Sequence, residues 1–265
     1  MNADCTVLVA SCDKYADLLW PFSALWRKFW PDCPLEVVLV TETAPSGDGL
    51  CFDRVIACGA GGNWCSRLVQ ALDKIATPYV LMLCDDYYLE APVETARILE
   101  RLAQAKAFDA ANLRLVPNPK PSLPYCGELM EYRKQTAYCI STLAGIWNRE
   151  FLRGLADGRS SIWEFERYGS FAVAEEARPL LVTPTREFPF VDAVHKGCWE
   201  KFGLAVCRAN GIEPDLSARG LPPVRTRVAE GLKALVFAIL PATLIVRIQN
   251  ALGAGAKEKG SANGP

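Results

Sequence analysis

Two adjacent aspartates, Asp85 and Asp86, come directly after the uncharged run YVLMLC, which is typical of a buried strand. Neighbouring carboxylates at the open edge of a sheet repel each other, and a hard divalent cation bound through oxygen relieves that repulsion. Such a cation also neutralises a diphosphate. A loop or capping role explains one aspartate after an apolar strand better than it explains two, so we interpret the pair as a cation and diphosphate site.

A second pair of carboxylates, Glu164 and Glu166, lies in SIWEFERYGS, where the pattern predicts a helix starting near Ser161. Residues two apart do not share a helical face, so one of the two is expected to point into a cleft. Trp163 and Phe165 provide an apolar environment that could raise the pKa of a carboxyl toward the range of a general base. The alternative is stabilisation of the helix dipole from its first turn, which needs no chemistry.

The elements that must position these side chains alternate between strands and helices. The sequence predicts a strand at 6–10, a helix at 15–30, strands at 35–40 and 52–57, a helix at 63–75 and a strand at 79–84. This order is typical of an α/β fold with a doubly wound, mostly parallel sheet. Ligands of such sheets bind beyond the carboxyl ends of the strands, so a site is expected at residues 11–14 and 85–88.

Composition excludes several classes of protein. With 265 residues, 51% hydrophobic and 22% charged, the chain is neither disordered nor fibrous. Lys and Arg number 29 against 30 Asp and Glu, so no positive field exists to attract nucleic acid, and no nucleic-acid partner is expected. Eleven cysteines without a CxxC pair indicate reduced thiols. The first residues do not resemble a signal peptide, so we expect a cytoplasmic protein.

The C-terminal part of the chain has a different pattern. Pro222 and Pro223 indicate a linker, and residues 234–246 (ALVFAILPATLIV) form an uncharged run with basic residues on both sides. A transmembrane helix needs about 20 apolar residues, whereas a shorter run with basic flanks suits a helix lying in an anionic interface. We therefore predict a basic, amphipathic membrane-associating segment at 221–252 and a disordered tail at 253–265. Packing on the protein's own core or in a dimer is the alternative.

Four stretches, VASCDKY, NWCSRLVQALDKIATPYVLMLCDDYYL, LAGIWNREFL and WEFE, together resemble bacterial GT-A fold glycosyltransferases that build surface polysaccharides such as O-antigen and capsule. The resemblance covers about residues 6–202. It implies a GT-A-like fold whose acidic motif, usually Asp-x-Asp, holds Mg²⁺ or Mn²⁺ against the diphosphate of a nucleotide sugar. Asp85 and Asp86 stand at the place of that motif in an Asp-Asp-Tyr version.

The resemblance also assigns residues to the sugar donor. Ser11, Cys12 and Asp13, after the first strand, are expected near the base and ribose. Asn63, Ser66 and Arg67, on the helix before the acidic motif, are expected to reach the nucleotide or its phosphates. Arg67 is the expected anion partner, with a surface salt bridge as the alternative.

On the acceptor side, the resemblance implies that His195, the one histidine of the chain, completes the cation's ligand shell. A structural hydrogen-bonding role is the alternative. Lys196 is expected to stabilise the departing diphosphate as a point charge. Glu164 or Glu166 is expected to remove the proton of the acceptor hydroxyl, and Trp163 to line the acceptor cleft.

Residues 1–220 are therefore expected to form a GT-A-like domain, with a donor half at about 1–107 and an acceptor half at about 108–220. The implied reaction moves a sugar from a nucleotide-diphosphate sugar to a lipid-linked glycan, with inversion and with Mn²⁺ or Mg²⁺. Retention of the anomeric configuration stays open, because the sequence does not decide between Glu164 and Glu166 as the base. The expected location is peripheral, on the inner face of the cell membrane.

Two other functions fit parts of the sequence. A sugar nucleotidyltransferase usually carries a Gly-rich phosphate loop after its first strand, and this chain has SCDKYADLL there, without glycine. A non-catalytic, membrane-bound scaffold of a polysaccharide assembly complex would bind no nucleotide. Nucleotide binding therefore separates the scaffold from both enzymes.

Overall fold

The alternation of strands and helices is present in the computed structural model, which describes residues 4–121 and 123–221. The strands are β1 (Cys5–Ala10), β2 (Glu36–Thr41), β3 (Arg54–Ala57), β4 (Tyr79–Cys84), β5 (Tyr87–Leu89), β6 (Asn112–Arg114), β7 (Leu123–Pro124), β8 (Met130–Glu131), β9 (Gly145–Asn148), β10 (Leu180–Val182), β11 (Phe190–Asp192), β12 (Val194–His195) and β13 (Cys198–Trp199). The helices are α1 (Leu19–Phe29), α2 (Trp64–Leu72), α3 (Thr95–Ala107), α4 (Arg149–Ala156), α5 (Ile162–Ala172) and α6 (Lys201–Ala209), and a 3-10 helix covers Asp13–Leu18.

The central sheet has the strand order β3-β2-β1-β4-β9-β6-β10-β8-β7. Strands β3, β2, β1 and β4 are parallel, and β6 and β10 run in the same direction. Strand β9 is antiparallel to both of its neighbours, β4 and β6. The predicted α/β fold with a doubly wound, mostly parallel sheet is therefore confirmed.

Both faces of this sheet are covered, as a mostly parallel sheet requires. Successive side chains of β1 point to opposite faces, so Val7 and Val9 belong to one apolar cluster and Leu8 to the other. Helices α1 and α3 supply residues to the first cluster, and α2, α4 and α5 supply residues to the second. The carboxyl edge of the sheet is left as the place where a ligand can enter.

The first helix begins later than the sequence predicts. Residues 15–18, which we predicted to be α-helical, belong to the 3-10 helix, and α1 starts at Leu19. Pro21 explains this, because proline lacks a backbone N–H and fits the first turn of an α-helix but not its interior. The residues before Pro21 therefore take a separate, tighter turn.

The chain divides into two units, Met1–Arg219 and Gly220–Pro265. Of the second unit, Gly220 and Leu221 are described. The segment predicted at 221–252 lies, beyond Leu221, outside the described residues, and so does the tail predicted at 253–265. Within the described part of the chain, no helix is both long enough and apolar enough to cross a bilayer.

All eleven cysteines are free thiols. Five are buried and Cys126 is exposed. Burial raises the pKa of the Cys5 thiol to about 12.

Candidate functional site

Strands β1 and β4 lie side by side, and their carboxyl ends form the floor of the site. The sheet order reverses between them, because β2 and β3 follow on one side of β1 and β4 lies on the other. Such a switch point leaves a crevice in which open α/β sheets bind their ligands. Ser11, after β1, donates a hydrogen bond from Oγ to Oδ2 of Asp85, after β4, at 2.5 Å.

Asp85 is buried and Asp86 is half-buried. Burial raises the pKa of Asp85 to about 7, although the hydrogen bond from Ser11 and the charge of Arg219 oppose this shift. Burial, and then the charges of Asp85 and Asp192, also raise the pKa of Asp86 above its ordinary value. A bound cation would relieve the repulsion between the two carboxylates.

Strand pairing brings a distant segment beside the aspartates. Strand β5, which follows Asp86, pairs antiparallel with β11, so that Tyr87 lies opposite Asp192. The Ala193 N–H donates to the Asp86 carbonyl oxygen at 2.8 Å. The rings of Tyr87 and Phe190 stack with their centroids 4.1 Å apart. The chain that follows β11 is therefore fixed against the acidic pair.

A tight hairpin of β12 and β13 then presents two of the predicted residues. His195 pairs with Cys198 across a two-residue turn formed by Lys196 and Gly197. Both turn residues have positive φ, 51° and 79°, as a type I′ hairpin requires. His195 and Lys196 line the same cleft as the aspartates. Gly197 is the local sequence signal for this turn, because the second turn position requires a positive φ.

Helix α6 supports this hairpin through a close approach at Gly203. A Cβ atom built on Gly203 would overlap the backbone of Ala193. We expect Gly203→Ala to lower the free energy of unfolding by about 1–3 kcal/mol, because neither backbone can move away without losing its packing. Urea unfolding measures the change.

The matched control is Gly154→Ala in α4, where an added Cβ meets no atom within 4 Å. Alanine is preferred over glycine inside a helix, so this variant is expected to gain about 0.5–1 kcal/mol. A gain in stability for both variants would contradict the packing argument.

Helix α2 places Arg67 in the cleft and Asn63 outside its lining. The Asn63 side chain caps the helix by accepting from the Ser66 N–H at 2.9 Å, and Ser66 Oγ accepts from the Asn63 N–H. Asn63 lines a different groove, beside Arg159. The spacing of Asn63 and Ser66 matches a helix cap, which is a structural reason for an asparagine here.

Arg67 is buried and lines the cleft. Its Nη1 donates to Glu42 Oε1 at 2.8 Å and to the Gly62 carbonyl at 2.9 Å. Arg67 thus forms a salt bridge, as in the alternative that we considered, but the pair is partly buried and not at the surface. An anion at Arg67 would share the guanidinium with Glu42.

Asp13 organises a neighbouring loop and is not among the residues lining the cleft. Its carboxylate accepts from the Thr43 N–H at 2.8 Å, and these contacts lower its pKa. With Thr43 and Trp20 it lines a separate groove. Asp13 lies two residues beyond Ser11, and the 3-10 helix that starts there turns it toward the loop after β2.

The structure distinguishes the two glutamates of α5. Glu166 lines the cleft, and its Oε1 accepts hydrogen bonds from Ser141 Oγ, Thr142 N–H and Thr142 Oγ1, at 3.0, 2.7 and 2.8 Å. Glu164 is not among the residues lining the cleft, and its Oε2 accepts from the N–H and Oγ of Ser160. Ser161 and Glu164 have the spacing of a capping box, a signal that could have marked Glu164 as structural.

The cleft that collects these groups has a volume of about 470 Å³. The predicted residues that line it are Ser11, Arg67, Asp85, Asp86, Trp163, Glu166, His195 and Lys196. Cys12, within the span 11–14 at which we expected a site, lines it as well, and lining residues that we did not predict as site residues include Tyr15, Trp64, Thr142 and Asp192. Asp192 and Thr142 come from segments whose position depends on strand pairing, so the sequence alone carried no signal for them.

Tyr15, one of the lining residues that we did not predict, is covered by Arg219, which in turn pairs with Asp17. Arg219 lies over the Tyr15 ring, with its guanidinium 4.5 Å from the centroid. Arg219 also pairs with Asp17, its Nε donating at 2.8 Å. The last residue of the first unit is thereby tied to the cleft wall.

The residues present fit a cation that is shared with a ligand. Within residues 4–121 and 123–221, no three His, Cys, Asp or Glu side chains are grouped to hold a metal ion by themselves. Asp85 and Asp86 offer two carboxylates at the cleft. Mg²⁺ is usually bound by one or two carboxylates together with substrate phosphates and water, which matches this arrangement. His195 as a third ligand stays a prediction.

No protein-family model and no curated protein sequence matches the chain. Among solved structures, S. aureus TarS 1-349 is similar with a TM-score of 0.45 and 12% identity over 71% of this chain and 59% of that chain. The same protein in complex with UDP-GlcNAc gives 0.44 and 14%, over 71% and 57%. A nucleotidyl transferase from Methanothermobacter thermautotroptrophicus gives 0.42 and 17%, over 69% and 87%. At these TM-scores and sequence identities, the argument for function rests on the residues and geometry of the site.

Proposed function

We propose that this protein is a glycosyltransferase that uses a nucleotide-diphosphate sugar as donor. One observation carries the proposal: the acidic pair at the switch point of the sheet shares a single cleft with Glu166, a carboxylate held by three hydrogen bonds. The acidic pair suits a cation that binds a diphosphate, and Glu166 suits proton removal. Metal-dependent sugar transfer with inversion needs both.

On the donor side, Asp85 and Asp86 would hold Mn²⁺ or Mg²⁺, which supplies charge neutralisation for the leaving nucleoside diphosphate. Ser11 fixes one oxygen of Asp85, so the carboxylate is oriented before a ligand binds. Lys196, on its tight turn, places an ammonium group at the cleft for the same leaving group. His195 lies beside it as the proposed further ligand.

On the acceptor side, Glu166 is the proposed general base. The three hydrogen bonds to Oε1 fix the plane of the carboxylate, and Oε2 is the oxygen proposed to take the acceptor's proton. Proton removal by a carboxylate on the acceptor side fits a direct displacement with inversion. Trp163 at the cleft offers a ring for stacking on a sugar.

The proposed acceptor is a lipid-linked glycan of bacterial surface polysaccharide assembly, and the proposed location is the inner face of the cell membrane. Both proposals rest on the sequence resemblance and on the basic, apolar composition of residues 221–252. TarS, one of the similar structures, was solved with UDP-GlcNAc and with UDP. A uridine nucleotide is therefore the first donor to test.

We expect the purified protein to bind one of UDP, GDP or dTDP with an affinity that rises when Mn²⁺ is added. In Asp86→Ala the increase in nucleotide affinity on adding Mn²⁺ is expected to be at least about tenfold smaller, because a proposed ligand of the cation is removed. Isothermal titration calorimetry measures both affinities.

Asp157→Ala is the matched control, because Asp157 is exposed at the end of α4 and does not line the cleft. It is expected to bind like the wild type. Binding of none of the three nucleotides would refute the donor site and favour the scaffold function.

A further inference from the structure

Helix α5 exposes three aromatic side chains that no chemistry proposed above explains fully. Trp163, Tyr168 and Phe171 are 63%, 47% and 47% exposed. The opposite side of the helix packs against the protein, where Phe165 is fully buried. We call Trp163, Tyr168 and Phe171 the α5 aromatic face.

The three rings form one surface. At about 100° per residue they lie within an arc of about 140°, with Phe171 between the other two, and they span about 12 Å along the helix. Single exposed apolar residues are ordinary on a protein surface, whereas a contiguous group marks an interaction site. The α5 aromatic face is therefore a candidate docking surface.

The charged side chains on this side of α5 are compatible with contact to lipid headgroups. Arg167 falls inside the arc, and its guanidinium lies 5.9 Å from the centroid of the Tyr168 ring. Glu164 also falls inside the arc, but its carboxylate is drawn to the helix N-terminus by Ser160. Aromatic rings beside an arginine suit the boundary between headgroups and acyl chains, because each has an apolar body and, for Trp, Tyr and Arg, a polar end.

Trp163 belongs to the α5 aromatic face and also lines the cleft. Whatever covers the face therefore lies at the mouth of the proposed active site. The run at 234–246, a separate part of the sequence, has the composition of a segment that lies in a membrane interface. Two independent features of the chain thus indicate the same occupant.

We propose that the α5 aromatic face rests on a lipid bilayer, so that the mouth of the cleft opens at the membrane surface. This contact would bring a membrane-anchored acceptor to Glu166 without requiring the acceptor to leave the bilayer. Of this surface the proposed transfer chemistry uses Trp163 alone, and the membrane contact can hold even if that chemistry is different.

The first experiment measures co-sedimentation of the full chain with vesicles of phosphatidylcholine and phosphatidylglycerol in equal parts. Tyr168→Ser with Phe171→Ser is expected to lower the vesicle partition coefficient by at least about tenfold, because two half-exposed rings no longer enter the interface. Trp20→Ser with Phe202→Ser is the matched control, since these rings are 53% and 59% exposed on other helices. The control is expected to partition like the wild type.

The second experiment places Trp163 itself at the bilayer. Vesicles of brominated phosphatidylcholine and phosphatidylglycerol are expected to quench part of the tryptophan fluorescence, and Trp163→Phe is expected to abolish that part. Trp20→Phe is expected to leave it unchanged, although Trp20 is also exposed. This readout does not depend on which other segment adds to membrane affinity.

Equal partitioning of the wild type and of the Tyr168, Phe171 double variant would overturn the inference, and so would quenching that survives in Trp163→Phe. A double variant that loses self-association instead of vesicle binding would assign the face to a second copy of the chain. Calorimetry measures nucleotide binding by the same double variant, so the donor site and the membrane contact are tested by separate readouts. Absence of nucleotide binding in the wild type refutes the donor site and leaves the vesicle result standing.

Discussion

Replacing Glu166 by glutamine is expected to slow sugar transfer by about 10²–10⁴-fold, the range that a general base typically contributes. Glutamine keeps an oxygen that can accept from Ser141 and Thr142, so the fold of the site is preserved while the proposed base is lost. Nucleotide affinity is expected to stay unchanged, since the proposed role of Glu166 is on the acceptor. Release of nucleoside diphosphate in the presence of a bacterial lipid extract gives the rate, and calorimetry gives the affinity.

Glu164→Gln is the matched control on the same helix. Its carboxylate accepts from Ser160 and does not line the cleft, so transfer is expected to continue at close to the wild-type rate. If Glu164→Gln were the inactive variant, the assignment of the base would be reversed. If both variants were active, neither would be a base, and a mechanism with retention would become the better explanation.

Replacing Arg114 by methionine is expected to lower the free energy of unfolding by about 3 kcal/mol. Arg114 is fully buried, and its Nη atoms donate to the carbonyl oxygens of Asn118, Tyr138 and Cys139. Its guanidinium also lies 4.4 Å from the centroid of the Tyr132 ring. Methionine fills the space of the side-chain stem but leaves three carbonyl oxygens without that donor, at about 1 kcal/mol or more each.

Burial lowers the pKa of the Arg114 guanidinium, and removing a buried charge sometimes stabilises a protein. Here the carbonyl oxygens remain in place when the charge is removed, so we expect the loss of hydrogen bonds to exceed the gain. Urea unfolding decides the sign. Arg54→Met is the control, because Arg54 pairs with Glu36 at the surface, and a change below about 1 kcal/mol is expected there. An Arg114→Met protein as stable as the wild type would contradict the argument.

The position of the proposed donor site in the fold could be predicted because its signals are local. The run at 79–84 is apolar throughout and forms β4, and the helix predicted at 63–75 contains α2. The position of Asp85 at the edge of the sheet then follows from the rule that parallel strands leave their carboxyl ends beside the ligand. A short-range pattern and one topological rule are sufficient for this part.

The acceptor side depends on contacts between distant residues, which a single sequence does not show. Strand β9 enters the sheet antiparallel between β4 and β6, and β11 pairs with β5, about 100 residues before it in the chain. These pairings place Thr142 and Asp192 at the cleft. The capping-box spacing of Ser161 and Glu164 is a local signal for a structural Glu164, but the structure was needed to show that Glu166 lies on the side of α5 that faces the site.

The free thiols of the chain make it convenient to label. Maleimides react with the thiolate, and burial holds the pKa of Cys51 and Cys207 at about 11 and that of Cys33 at about 12. Cys126 is the exposed thiol among the eleven and lies between β7 and β8. A fluorophore supplied at neutral pH will attach there first, so a singly labelled protein for anisotropy measurements can be made from the natural sequence.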